Sequence, residues 1–329
     1  MKTSTIAILG AGSWGTAVAI HLAHCGYEVL LWGHDPLHVT DMDKSRRNQR
    51  YLPDVAFPPS LMPTASLSHC VEHASQIIIA VPSHAFASLL TQLEKPTNGI
   101  AWLTKGIDPT SHELLSQLVE KKWGNDFPIA VISGPSFARE VANVLPTALV
   151  LASNNPSYLQ NIHKILHHRN IRVYLTDDTI GVQLCGAVKN VLAIACGISD
   201  GLNYGANAKA ALITRGLAEM SRLGLRLGAR QETFMGLAGV GDLVLTCTDD
   251  QSRNRRFGLQ LGRGENLIDA EKSIGQVVEG KYNAAQVCAL ASHYQVTMPI
   301  CEEVNKLLLG KVNANQAVVN LMSRPAREE

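Results

Sequence analysis

The sequence lacks any C-x-x-C pair, any block of like charge and any low-complexity linker, and each absence removes a class of protein. Its seven cysteines, Cys25, Cys70, Cys185, Cys196, Cys247, Cys288 and Cys301, are scattered and odd in number. That argues against a disulfide framework or a zinc ribbon and for small buried hydrophobes. A formal net charge of +1 with no basic stripe gives no electrostatic footprint for nucleic acid or an anionic membrane surface, so neither partner is expected. The amino terminus, "MKTSTIAILGAG", has one lysine before a short apolar run that a glycine-rich turn interrupts. It reads as neither a signal peptide nor a membrane span, and a cytoplasmic location is expected. "HKILHH" spaces His163 and His167 as in a zinc helix, but Lys164 stands where that motif has its glutamate and would repel a metal ion. A solvated helix face is the reading there, with no metal.

What is present suits an ordinary globular chain of 329 residues, 46% of them hydrophobic, long enough for two domains. The first half alternates short β-branched runs with helical stretches. Thr5 to Leu9 is predicted as a buried parallel strand, Ser13 to about His24 as a helix stopped by Gly26, and Glu28 to Trp32 as the next strand. Further apolar runs at "SQIIIAVP", "GIAWLTKGID", "PIAVISGPSF", "TALVLAS" and "IRVYLT" extend the pattern of a doubly wound, Rossmann-like α/β sheet. Near Thr179 the texture changes to helix-length stretches rich in Ala, Leu and Gly without strand alternation. The expectation is a dinucleotide-binding domain over 1–179 and an all-α substrate-binding and catalytic domain over 180–329, the two abutting across a cleft.

Gly10, Gly12 and Gly15 form G-x-G-x-x-G between a predicted strand and a predicted helix, the context that gives this motif meaning. Gly10 permits the tight turn, Gly12 lets a pyrophosphate approach the backbone, and Gly15 allows close helix–strand packing. NAD-specific turns usually carry an acid at the end of the second strand, and here that position is Gly33, followed by His34 and Asp35. Without the acid a 2′-phosphate is not repelled, and His34 could contact the adenosine ribose or its phosphate. Asp35 is either a ribose ligand or a helix cap before Pro36. Both NADH and NADPH are expected to serve, with a lean to NADPH.

Lys189 lies inside "CGAVKNVLAIACG", a helical stretch of small and apolar residues. A buried ammonium is costly unless paired, so Lys189 either snorkels to water or has a use. Asp242, in the apolar setting "GVGDLVLTCT", needs a cation, and a lysine would serve. Lys105 follows a buried strand at the carboxyl edge of the sheet, where open α/β folds bind ligands. "SGPSFARE" follows another strand and should bring Gly134, Ser136 and Ala138 to the same rim, although Ser136 could equally be a helix N-cap. "DDQSRNRRFG" concentrates Ser252, Arg253, Asn254, Arg255 and Arg256 where a loop enters a helix, as donors suited to phosphate or as a solvated basic turn.

With these residues in hand, the sequence resembles bacterial NAD(P)-dependent glycerol-3-phosphate dehydrogenases from about Ile6 to about Cys301. The resemblance rests on "GAGSWGTA", "LLWGHDP", "TKGI", "SGPSFA", "AVKNVLAIA", "GLAGVGDL" and "CTDDQSRNRRFG" together. It implies reversible hydride transfer between NAD(P)H and dihydroxyacetone phosphate, giving sn-glycerol 3-phosphate for phospholipid synthesis. It also implies Lys189 as proton acceptor, supported by Lys105 and Asp242. Lys105, Gly134, Ser136, Asp242, Ser252, Arg253 and Asn254 would contact substrate. Ser13, Trp14, His34, Lys105, Ala138, Arg253, Val277 and Glu279 would face the cofactor beside the glycine turn. A homodimer is compatible with the sequence. "YLPDVAF" departs from the family, many of whose members carry glycine after the proline.

That chemistry gives the buried Lys189 a use, since a base must take the proton from the C2 hydroxyl as hydride leaves and must return it in reduction. Desolvation favours its neutral amine, and Asp242 favours its ammonium. A dehydrogenase of a 3-hydroxy acid would also use a lysine on a long helix, but the "SRNRR" loop favours a phosphorylated substrate. A redox-sensing regulator without chemistry would give two lysines and an aspartate no reason to converge.

Overall fold

The computed structural model describes residues 4–168 and 170–325, which pack as two units. The first comprises residues up to 105 and 115–182, and the second comprises 106–114 and residues from 183. These packing units differ from a single break at 179 in two places. Helical composition begins at Thr179, but the first turn of that helix packs with the sheet unit, and the loop 106–114 groups with the helical one.

In the first unit the strands are β1 (Thr5–Leu9), β2 (Glu28–Trp32), β3 (Arg47–Asn48), β4 (Leu52–Ala56), β5 (Leu61–Thr64), β6 (Gln76–Ile79), β7 (Ile100–Trp102), β8 (Ile129–Ser133), β9 (Thr147–Ser153) and β10 (Ile171–Thr176). Eight of them form one sheet in the order β10-β9-β8-β7-β6-β1-β2-β5, and β3 pairs with β4 apart from it. The pairs from β8 through β5 are parallel, as continuous apolar runs with helical crossovers dictate. β9 runs antiparallel to β8, so the sheet is mixed, and β10 is parallel to β9. β1 lies between β2 and β6, the point where the winding reverses and where ligands bind beyond the strand ends. Ile6, Ala7, Ile8 and Leu9 of β1 are wholly buried, which leaves no face for polar alternation.

The second unit is helical, and among the described residues its one bridge pairs Ile107 with Leu114. Its central helix, Thr179–Gly201, is buried along nearly its whole length. By length and composition this helix is apolar enough to cross a membrane, but 94% of its apolar window is covered by the protein, the position of a core helix. The helix Arg253–Gly262 crosses it at backbone contact. A Cβ on Gly197 would lie 2.0 Å from the Arg255 carbonyl oxygen, and one on Gly258 would lie 2.1 Å from that of Ile194. Gly201 and Gly262 repeat the approach one turn further on, so glycine spacing fixes where the 253–262 helix begins relative to Lys189. His163 and His167 stack at 4.7 Å, with His167 Nδ1 accepting from the Val173 amide, which ties that helix end to β10.

Candidate active site

The candidate residues fall into two groups, one on each unit. In the first, the three glycines differ in what surrounds them. Gly10 has φ +135°, and a Cβ there would meet the Ala80 carbonyl carbon at 2.6 Å. A Cβ on Gly15 would meet the Gly10 carbonyl oxygen at 2.0 Å, so these two are required by packing. A Cβ on Gly12 would meet nothing within 4 Å. Gly12 is the N-cap of the helix Ser13–His24 and offers no side-chain oxygen to its first N–H groups. Open space beside the N–H groups of a helix start without a side-chain cap fits a pyrophosphate. The Trp14 indole packs on the sheet core, and Ser13 Oγ donates to the Tyr51 carbonyl at 3.2 Å.

At the end of β2, the position of the expected acid is tight. A Cβ on Gly33 would lie 3.0 Å from Val39 Cγ2 and 3.4 Å from Ala11 Cβ. Asp35 proves to be the helix cap, accepting from the Leu37 amide at 3.0 Å and the His38 amide at 3.4 Å. His34 is exposed. Lys105 Nζ donates to the Gly134 carbonyl oxygen at 3.2 Å, and Ser136 Oγ donates to the same oxygen at 2.9 Å. These three groups thus meet beyond the carboxyl ends of β7 and β8. Ser136 is not an N-cap: the helix Ala138–Ala142 is capped at Phe137, and Ala138 packs against the sheet core.

In the second group, Lys189 does not snorkel. Its side chain is 8% exposed, and Nζ lies 2.6 Å from Asp242 Oδ1, whose side chain is 1% exposed. Nζ also donates to Thr246 Oγ1 at 2.8 Å, while that hydroxyl gives its own proton to the Asp242 carbonyl oxygen at 2.6 Å. Thr246 therefore presents a lone pair to the ammonium. A π-helical turn, Leu237–Gly241, precedes the helix Asp242–Thr248 and aims Asp242 inward, a distortion common at functional sites. Hydrogen bonding with the Cys196 thiol, burial and the Asp242 charge push the Cys247 thiol well up, against the Lys189 ammonium. Cys247 is therefore an inert neutral neighbour of the pair.

Ser252 caps the helix Arg253–Gly262 by accepting from the Arg255 amide at 3.2 Å, so its hydroxyl already has a structural partner. Arg253 Nη1 donates to Gln276 Oε1 at 3.4 Å, beside Val277, which is partly exposed. Asn254 Oδ1 accepts from the Gly280 amide at 2.9 Å, next to Glu279 at the start of the helix Glu279–His293. These bonds draw together Arg253, Asn254, Val277 and Glu279. Arg255 is not available to a ligand: it pairs with Asp200 at 2.6 Å and with Asp250. Burial opposes its charge, and the two carboxylates more than offset that, raising its pKa. Sequence reasoning missed Thr246 and Asn190; the first stands one turn beyond Asp242 on the same helix, and the second is adjacent to Lys189.

Two family models match the chain: the N-terminal part of NAD-dependent glycerol-3-phosphate dehydrogenase over residues 5–159, and its C-terminal part over 178–319. A glycerol-3-phosphate dehydrogenase [NAD(P)+] of Legionella pneumophila (strain Lens) is 69% identical over 329 residues, covering 100% of both chains. One from Sodalis glossinidius is 51% identical, covering 99% of this chain and 98% of the other. Among solved structures, glycerol-3-phosphate dehydrogenase from Coxiella burnetii superposes with a TM-score of 0.95 at 50% identity, over 98% of this chain and 99% of that one. D-mandelate dehydrogenase shares the fold at a TM-score of 0.63 and 16% identity, over 95% of this chain and 99% of that one. The matches to both family models and the full-length identity make this chain a member of the NAD-dependent glycerol-3-phosphate dehydrogenase family.

Proposed function

We propose that the protein reduces dihydroxyacetone phosphate reversibly to sn-glycerol 3-phosphate with NAD(P)H, in the cytoplasm, as a supply for glycerophospholipid synthesis. Lys189 is its general acid and base. The observation that carries this reading is the buried ammonium held at 2.6 Å by Asp242 and at 2.8 Å by Thr246, a cost that a purely structural helix has no reason to bear.

When bound, the reduced nicotinamide supplies the hydride. Lys189 Nζ gives a proton to the C2 oxygen in reduction and recovers it in oxidation. Asp242 and Thr246 fix where Nζ stands, so that proton transfer occurs at one position rather than from a mobile chain. Lys105, Gly134 and Ser136 contact the substrate. Arg253 and Asn254 meet the phosphate, a remote interaction whose binding energy holds C2 in place for reaction. Ser13, Trp14 and the glycine turn hold the pyrophosphate, with His34, Ala138, Val277 and Glu279 along the remainder of the cofactor. The absence of an acid at Gly33 supports dual use of NADH and NADPH with a lean to NADPH, since nothing at that position would repel a 2′-phosphate.

The test follows reduced-cofactor absorbance with dihydroxyacetone phosphate, with NADH and NADPH in parallel and unphosphorylated dihydroxyacetone as control. Oxidation that depends on the phosphate is the expected result. Equal rates with and without the phosphate would overturn the substrate assignment.

A further inference from the structure

A row of buried side-chain amides runs through the helical unit from Asn254, and the roles above use only its first member. Asn254 Nδ2 donates to Asn190 Oδ1 at 2.9 Å, Asn190 Nδ2 donates to Asn283 Oδ1 at 3.1 Å, and Asn283 Nδ2 donates to Gln286 Oε1 at 3.0 Å. All four residues are buried, and Asn283 is wholly so. The bonds run head to tail, so each amide polarises the next in the same sense.

The direction of the row is fixed by backbone atoms whose roles are unambiguous. Asn190 Nδ2 also donates to the Gly186 carbonyl at 3.1 Å, so that end of its amide must be nitrogen. Asn254 Oδ1 accepts from the Gly280 amide at 2.9 Å, so that end must be oxygen. Close packing holds the junction shut: a Cβ on Gly280 would lie 2.6 Å from the Asn190 carbonyl oxygen and 2.9 Å from Asn254 Oδ1. Asn190 thus spends both amide hydrogens, on Gly186 and on Asn283, and can offer Asn254 only an acceptor. Asn254 answers with one hydrogen and keeps its second N–H as the donor for an anion. Turned over, it would present its carbonyl oxygen to a phosphate and repel it. A flip of Asn190 would break its bonds to Gly186, Asn283 and Asn254 together.

We propose that Asn283 is a positioning residue for the phosphorylated substrate: acting through Asn190, it adds to the hold that the Gly186 carbonyl and the Gly280 amide have on the polarity of the Asn254 amide, so that a donor faces the phosphate. This rests on Asn254 meeting the phosphate as proposed above. Without the Asn283 oxygen, one Asn190 hydrogen is left buried and unmet, and the turned-over states of Asn190 and Asn254 are opposed only by the Gly186 carbonyl and the Gly280 amide. The penalty falls on binding of the phosphate, far from the proton held at Lys189.

The experiment is a double-mutant cycle of Asn254→Ala and Asn283→Leu in the full-length enzyme, reading KM for dihydroxyacetone phosphate, kcat, NADH affinity and the melting temperature. Asn283→Leu is expected to raise KM by about threefold to tenfold, the upper figure being the loss of one charge-assisted hydrogen bond, with kcat and NADH affinity within about threefold of the parent. In the Asn254→Ala background the same change is expected to leave KM within about twofold, because the amide it orients is gone. Equal effects of Asn283→Leu in both backgrounds, or no effect on KM in either, would overturn the proposal. If Asn254→Ala itself leaves KM unchanged, the phosphate assignment fails instead, a distinct result. Should Asn283→Leu not fold, Gln286→Met removes the acceptor that holds the Asn283 amide. Its smaller rise in KM must likewise vanish when Asn254 is alanine, and persistence there would refute the idea.

Discussion

Replacing Asp242 by asparagine keeps the size and one oxygen of the side chain but removes the charge that faces Lys189. The pair lies at 2.6 Å with side chains 8% and 1% exposed, so solvent cannot take over the role of the carboxylate. Removing one member of such a buried pair costs about 3 to 5 kcal/mol, and the retained oxygen places Asp242→Asn near the lower end. For a chain of 329 residues that corresponds to a fall in melting temperature of roughly 4–7 °C. Lys189→Met leaves the carboxylate unpaired and is expected to cost a similar amount. The double variant removes both charges and should lie within about 1 kcal/mol of the parent, since an uncharged pair needs no compensation. Urea denaturation of the four proteins at pH 7 measures the cycle. Additive losses, or single variants within about 0.5 kcal/mol of the parent, would refute the claim that each buried charge is compensated by the other.

Three other outcomes follow from the geometry. Glu219, 3% exposed, accepts from the Ile300 amide at 2.8 Å and the Cys301 amide at 3.3 Å, and burial pushes its carboxyl up to about 7. The folded state then holds a proton that the unfolded chain releases near its ordinary value of 4.5, so this contribution is fully present below about pH 4.5 and is lost as pH rises through about 7. Denaturation at pH 5 and pH 8 should show a loss of about 3 kcal/mol from this group that Glu219→Gln abolishes; an unchanged pH slope in that variant contradicts it. Gly12→Ala should melt within about 1 °C of the parent yet weaken NADH binding about tenfold or more by titration, because its Cβ occupies only the space left for the pyrophosphate. Arg253→Ala should raise KM for dihydroxyacetone phosphate roughly 10- to 100-fold with a smaller effect on kcat, and an unchanged KM would remove the arginine from the phosphate site.

What the sequence made legible is what local pattern controls. The strand, glycine turn and helix from Thr5 to His24 emerge as read, because Gly10 and Gly15 are dictated by contacts within one β-α unit and within reach of its neighbour Ala80. The pairing of Lys189 with Asp242 was foreseeable because two buried opposite charges need each other, whatever the distance in sequence. The antiparallel turn of β9 against β8 was not, since a buried apolar run such as "TALVLAS" reads alike in either direction. Asp35 and Ser136 each had two readings, and only the folded chain shows that one caps a helix and the other bonds the Gly134 carbonyl. The amides of Asn190 and Asn283 are 93 residues apart, and neutral side chains advertise no partner, so their row had no signal in the sequence.

The most direct test of the account is the turnover of Lys189→Met with dihydroxyacetone phosphate and NADH, alongside NADH affinity measured on the same folded protein. Loss of general acid–base catalysis predicts a kcat lower by about 10²- to 10⁴-fold with NADH affinity within about threefold of the parent. A variant that binds NADH and turns over like the parent would show that the proton is moved by another group.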